Sequence, residues 1–134
     1  MANVAAKIET HDNGTTKVVT WPDDDANGDP KTGFTAAGDV GLPVKLSPWG
    51  DVSVQLVGTV GTTVNFSIQG SNDGSTWASL FDVHGVVIDL DEVKNEIAQI
   101  AEVPLYIRPN LVTEVGTTDC SIIMVMRRSN QSRQ

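Results

Sequence analysis

Cysteine, histidine and aromatic residues are scarce in this chain, and each shortage removes a class of function. Cys120 is the only cysteine, so an intrachain disulfide and any paired Cys-x-x-Cys centre are excluded. Stability must then come from packing or assembly, which suits folding in a reducing cytosol. His11 and His84 are the only histidines; the first lies in a polar N-terminal stretch and the second in a predicted turn, so neither neighbourhood suits a Ser-His-Asp or Cys-His site. Gly-x-Ser-x-Gly, His-Glu-x-x-His and Gly-Lys-Ser/Thr signatures are missing as well. Long apolar runs are also lacking: Ile122 to Met126 is far too short to cross a bilayer, and MANVAAKIETHDNG has no signal-peptide core. The sequons at Asn13, Asn65 and Asn130 therefore have no evident route to glycosylation. The expectation is a protein that is no enzyme, needs no cofactor and has no membrane partner.

Positive charge is short, and it is unevenly placed. The formal net charge is −8 over 134 residues, with 17 acids against 9 bases. All the acids lie in residues 1–119, whereas Arg127, Arg128 and Arg133 stand in the acid-free last fifteen residues. An acidic body is repelled by phosphates, so nucleic acid is not the expected partner. The cationic end instead suits docking onto carboxylates of a protein scaffold or a sister subunit.

What the chain has in quantity is two-residue alternation. In Asp51 to Leu80, Val52, Val54 and Leu56 alternate with polar residues, and so do Val64, Phe66 and Ile68. Gly58 and Gly61 follow the first strand and Asn72-Asp73-Gly74 the second, residues suited to turns, so both joints are expected to be tight antiparallel hairpins. Trp77 and Leu80 fall on a third short strand. Trp77 and Phe66 are read as core, and Asp73 and Gly74 as turn. β-Branched residues and glycine abound and patterned strands recur at short intervals, which favours an all-β sandwich or barrel.

Taken in order, residues 1–15 read as an ordered arm or a frayed terminus, Thr16 to Trp21 as a strand stopped by Pro22, and Pro22 to Gly38 as a long loop. Asp23-Asp24-Asp25-Ala26-Asn27-Gly28-Asp29 matches the opening of a calcium loop, but the closing glutamate position is Phe34, and turn chemistry explains the same residues. Leu42 to Leu46 is a strand with Pro43 at its start or on an edge. Trp49 covers core or contributes to an interface. Val86 to Leu90 reads as a strand, and Asp91 to Ile100 as a helical turn passing into extended chain, with Ile97 to Ala101 fitting a strand equally well. Leu105 to Arg108 is a strand interrupted by Pro109, its Arg108 pairing with Glu102 or Asp82, and Cys120 to Arg128 is a central strand covered on both faces. Asp89, Asp91 and Glu92 are strand-end acids, and Cys120 is a buried hydrophobe.

The segments Asp51 to Leu56, Gly58-Thr59 with Gly61, and Gly70 to Gly74 with Trp77 together resemble the cement (decoration) proteins of tailed-bacteriophage heads. The resemblance extends through Gly38 to Val44 upstream, and through Tyr106-Ile107-Arg108-Pro109 to Arg127-Arg128 downstream. It implies a structural virion protein on the outer surface of the head, made in the bacterial cytoplasm. Its implied partners are the major capsid protein and copies of itself, as a dimer or trimer at a capsid symmetry axis. The reading is a single-domain antiparallel β-sandwich of jelly-roll type with a long N-terminal loop and little helix. Residues 1–15 form the arm, 16–128 the sandwich and 129–134 the tail. Arg127, Arg128, Arg133 and Trp49 are its interface residues. A carbohydrate-binding module using Trp77 or Trp49 as a platform is the alternative, and a calcium-stabilised adhesive domain a third.

Overall fold

The computed structural model describes residues 3–29, 31–46, 49–92 and 97–128, with Trp49 by its backbone alone. These residues form β1 (Asn3–Val4), β2 (Lys7–His11), β3 (Thr16–Trp21), β4 (Val40–Gly41), β5 (Val44–Lys45), β6 (Trp49–Thr59), β7 (Thr63–Ser71), β8 (Ala78–Ser79), β9 (Leu90–Asp91), β10 (Ile97–Gln99), β11 (Tyr106–Val115) and β12 (Asp119–Arg128). A single 3-10 turn at Asp12–Gly14 joins β2 to β3. Among the described residues no helix is long and apolar enough to cross a membrane.

Two sheets face each other. One has the order β10-β6-β12-β3-β2; the other runs β1-β4-β11-β7-β8, with β5 also on β11 and β9 also on β7. Every pairing is antiparallel except β1 with β4. β3 pairs with β12, β4 and β5 with β11, β6 with β10, and β7 with β8 and β9. The first half of the chain is thus folded against the second, and rolling that ribbon sets β12 beside β6 and β11 beside β7. This is a jelly roll, the all-β sandwich expected from the sequence.

The alternation that marked the strands is the cause of the two layers. Val52, Val54 and Leu56 of β6, Val64, Phe66 and Ile68 of β7, and Cys120, Ile122, Met124 and Met126 of β12 all point into one buried cluster. Phe34, in the long loop, bridges to Cys120 and meets Phe66 edge-on at 5.0 Å between ring centroids.

Several local expectations are corrected. β6 and β7 do not form a hairpin; they lie in different sheets, joined by an arch at Val60–Thr62. A period of two shows that a strand has one apolar face, but not whether the next strand lies beside it or opposite. Here the arch is held from the far end of the chain: Gly61 N–H donates to Thr118 Oγ1 at 2.9 Å and Thr62 N–H to the Val115 carbonyl at 2.8 Å. The second joint is a hairpin, with Gln69 opposite Ser79. Residues 3–11, read as an arm, supply β1 to one sheet and β2 to the other. Of the two readings left open for Ile97 onward, helix or strand, the strand holds, since Ile97–Gln99 pairs with β6; residues 93–96 of the helical turn lie outside the described residues. In Val86 to Leu90 the paired strand begins only at Leu90, with Val87 bridged to Phe81. β12 is central but covered fully on one face only, since Ser121, Ile123 and Val125 are half-buried.

Pro109 does not interrupt β11, which runs through it. Leu111 N–H points away from β7, donating to the Asp39 carbonyl at 2.9 Å. By alternation the missing N–H of Pro109 falls on that same side, between the pairings with β5 at Ile107 and β4 at Asn110, so no β7 ladder bond is lost. Pro109 also closes a tight joint in the core. A β-carbon on Gly41 would stand 2.7 Å from both Pro109 Cδ and Trp21 Nε1, and Trp21 Nε1 donates to the Leu42 carbonyl at 3.0 Å. Trp21 is fully buried in the core. Trp21→Ala should therefore destabilise the sandwich by about 3–5 kcal/mol, measured by urea unfolding. Gly41→Ala should also destabilise it, because the neighbours of the added methyl are a ring and a proline.

Candidate functional site

Of the interface residues expected from the sequence, Arg127, Arg128 and the backbone of Trp49 lie at one end of the five-stranded sheet. Arg127 faces Asp51 on one side and Thr16 on the other, and Arg128 faces Trp49. Between these pairs Gly50 is an extra residue, a bulge in β6 that bends the strand where the cationic end emerges. The bulge was missed from sequence; a glycine inside a strand pattern, next to Trp49, was its signal. Arg128 is held by backbone, its amide donating to the Thr15 carbonyl at 3.1 Å and its Nε to the Gly14 carbonyl at 3.0 Å. Arg127 is exposed on the outer face of the sheet and lines a shallow depression of about 310 Å³ with Asp51, Ser53, Ile97 and Gln99. Arg133 lies outside the described residues, as does the side chain of Trp49.

Because β7 runs back from the arch, its far end emerges where β12 ends. There the Asn72–Trp77 loop is built around one carboxylate. Asp73 Oδ1 accepts from the amides of Ser75 at 2.8 Å and Thr76 at 2.7 Å and from Ser71 Oγ at 2.9 Å, while Ser71 Oγ accepts from Gly74 N–H at 2.8 Å. These donors hold the Asp73 carboxyl well below the usual carboxylate range, the Thr76 and Ser75 amides foremost. Gly74, at φ +79°, fills the left-handed position that the turn needs. Beside this loop a cleft of about 510 Å³ is floored by Gly70, Leu80 and Pro104 and rimmed by Asp73, Thr76 and Glu102.

Trp77 is half-buried and lies outside the core cluster, whereas Phe66 is within it. The guanidinium of Arg108 sits 4.0 Å from the Trp77 ring centroid, and Arg108 Nε donates to Gln69 Oε1 at 2.8 Å. Arg108 therefore pairs with neither acid expected of it: Glu102 accepts from Phe81 N–H, and Asp82 from the amides of His84 and Val86. One face of the Trp77 ring is occupied, which weakens it as a sugar-stacking platform.

The remaining chemistry-bearing residues do not assemble. Asp25 Oδ1 accepts from the amides of Asn27 and Asp29, Asp23 Oδ1 from Asp24 N–H, and Asp24 pairs with Lys7 at 3.2 Å. The acid run is turn chemistry, and among the described residues no three His, Cys, Asp or Glu side chains are placed to hold a metal ion. Asp89 accepts from Asn65 Nδ2 and Glu92 from Val64 N–H. Cys120 is buried, and burial, then Asp119, Glu114 and Asp39, push its thiol up to about 12, so it is an inert thiol at neutral pH.

The depressed pKa of Asp73 means that its contribution to loop order is present above the ordinary carboxylate range and is lost only as pH falls through the lower, folded value. Amide exchange at Ser75 and Thr76 should therefore stay slow through pH 4 in the wild type. It should rise in Asp73→Ala, and less so in Asp73→Asn, which keeps an acceptor oxygen. Trp77→Ala should cost clearly less than Trp21→Ala in the same unfolding assay.

No family model matches the sequence, and no curated protein matches it. Among solved structures, the fold is similar to that of the SPBc2 prophage-derived protein YomS, with a TM-score of 0.51 at 10% identity, over 69% of this chain and 88% of that one.

Proposed function

We propose that this protein is a non-enzymatic structural component of a tailed-phage virion, binding the outside of the head and stabilising the shell by clamping neighbouring major capsid subunits. The observation that carries the reading is the jelly-roll sandwich shared with a prophage-derived protein. The ordered motifs from Gly38 to Arg128 that resemble cement proteins support the finer assignment. The geometry suits it: a rigid two-layer body, an acidic surface overall, and a cationic strand end at a bulge. Residues 3–11 belong to the sheets, so clamping falls to the sandwich itself and its ends. Weak contacts repeated by capsid symmetry would add through multivalency.

Arg127 and Arg128 are the proposed contacts to shell carboxylates. Neutralising both, as Arg127→Gln with Arg128→Gln, should leave the melting curve of the free protein nearly unchanged yet lower its occupancy on heads. Added salt should weaken the wild type in the same direction. Heads lacking the protein should assemble but rupture at lower temperature. Titration of heads with wild type and double variant checks this, and undiminished occupancy of the variant at every salt concentration would place the docking surface elsewhere.

A further inference from the structure

The cleft beside the Asn72–Trp77 loop has no role in the reading above, yet its walls are tightly held. A β-carbon on Gly70 would stand 2.5 Å from Pro104 Cγ and 2.9 Å from Leu80 Cδ2, so the bare glycine is what lets Leu80 and Pro104 close over it as an apolar floor. Leu105 N–H donates to Asn72 Oδ1 at 3.0 Å, which ties the Pro104 segment to the loop. At about 510 Å³ the cleft has the size of a ligand site.

Charge says what kind of group it fits. Among the described residues that line the cleft, only Asp73 and Glu102 are charged. The donors of its own loop keep Asp73 ionised. Glu102 gives Oε1 to Phe81 N–H at 2.8 Å, and its Oε2 has no partner among the described residues. Carboxylates above an apolar floor suit a cation carried on an alkyl stem, whereas a bare metal ion would require more oxygen ligands.

The backbone beside the cleft says how that cation is presented. β8 is the outer strand at this end of its sheet, paired with β7 alone. Leu80 N–H donates to the Ile68 carbonyl at 2.8 Å, so by alternation Ser79 turns its N–H and carbonyl away from β7, toward the open edge. An edge of this kind accepts an extended chain.

We propose that the cleft takes the arginine side chain of an extended segment of a partner protein laid along β8. The backbone of that segment bonds to Ser79, and the arginine stem lies on Leu80 and Pro104. Its guanidinium, a planar fork of donors, meets Asp73 and Glu102; lysine, a point charge, fits less well. The site is formed in the free protein, so its test stands apart from that of capsid binding.

Nuclear magnetic resonance of the full chain titrated with the peptide Ac-Gly-Arg-Gly-amide reads this directly. The peptide should shift the amides of Gly70, Thr76 and Ser79 saturably, with a dissociation constant in the millimolar range. The same peptide with citrulline in place of arginine keeps the shape without the charge and should not. Glu102→Gln retains the acceptor for Phe81 N–H and should raise the dissociation constant about threefold or more. Ala78→Trp, which fills the cleft, should abolish the shifts. If Ala78→Trp fails to fold, Glu102→Gln and the citrulline peptide still decide. No saturable shift, shifts that map away from the cleft, equal binding of the citrulline peptide, or a folded Glu102→Gln that binds as the wild type does would overturn the proposal.

Discussion

The structure depends on one constraint: consecutive amphipathic strands must face each other across the core. β6 and β7 each carry one apolar row, and the arch at Val60–Thr62 turns those rows toward one another. Once they face, each needs its hydrogen-bonding neighbours from elsewhere. Both draw them from the C-terminal half, β6 from β10 and β12, β7 from β8, β9 and β11. The long-range ladders of the jelly roll follow from that single crossing, as does the position of the last strand. Because β12 runs antiparallel to β6, its arginines must emerge where β6 begins, at Asp51 and Trp49.

A second close joint binds the two sheets in the core. Trp21, at the end of β3, reaches under the opposite sheet to the Leu42 carbonyl, and only a residue without a side chain at Gly41 lets the indole and Pro109 approach together. Pro109 can sit inside a central strand because its missing donor falls between two short partners. The two sheets are thus locked by one aromatic ring, one glycine and one proline rather than by a disulfide, in keeping with a lone, buried cysteine.

Much of this was legible in the sequence, and the failures share a cause. Val52 to Leu56 and Val64 to Ile68 announced their strands and inward faces through alternation, Ile122 to Met126 announced a strand but, being apolar throughout, not which face turns inward, and Asn72-Asp73-Gly74 announced its turn through side-chain chemistry. Alternation is blind to partner, however, so the joint at Gly58 to Gly61 read as a hairpin although its anchors, Val115 and Thr118, lie more than fifty residues on. Trp77 read as core because a tryptophan after a hairpin has apolar area to bury; Arg108, thirty-one residues away, supplied a cover that local pattern does not carry. Ile97–Gln99 fitted helix as well as strand over so few residues, and pairing with β6 decided it. At the candidate site, the charge split marked Arg127 and Arg128, but the bulge at Gly50 became visible only through register.

The most direct measurement is cryo-electron microscopy of tailed-phage heads decorated with this chain. Density for the sandwich is expected on the outer shell surface, bridging neighbouring capsid subunits, with the strand end bearing Arg127 and Arg128 turned toward the shell. Heads that bind none of it, or density that meets the shell through the Trp77 and Arg108 face of the seven-stranded sheet, would contradict it.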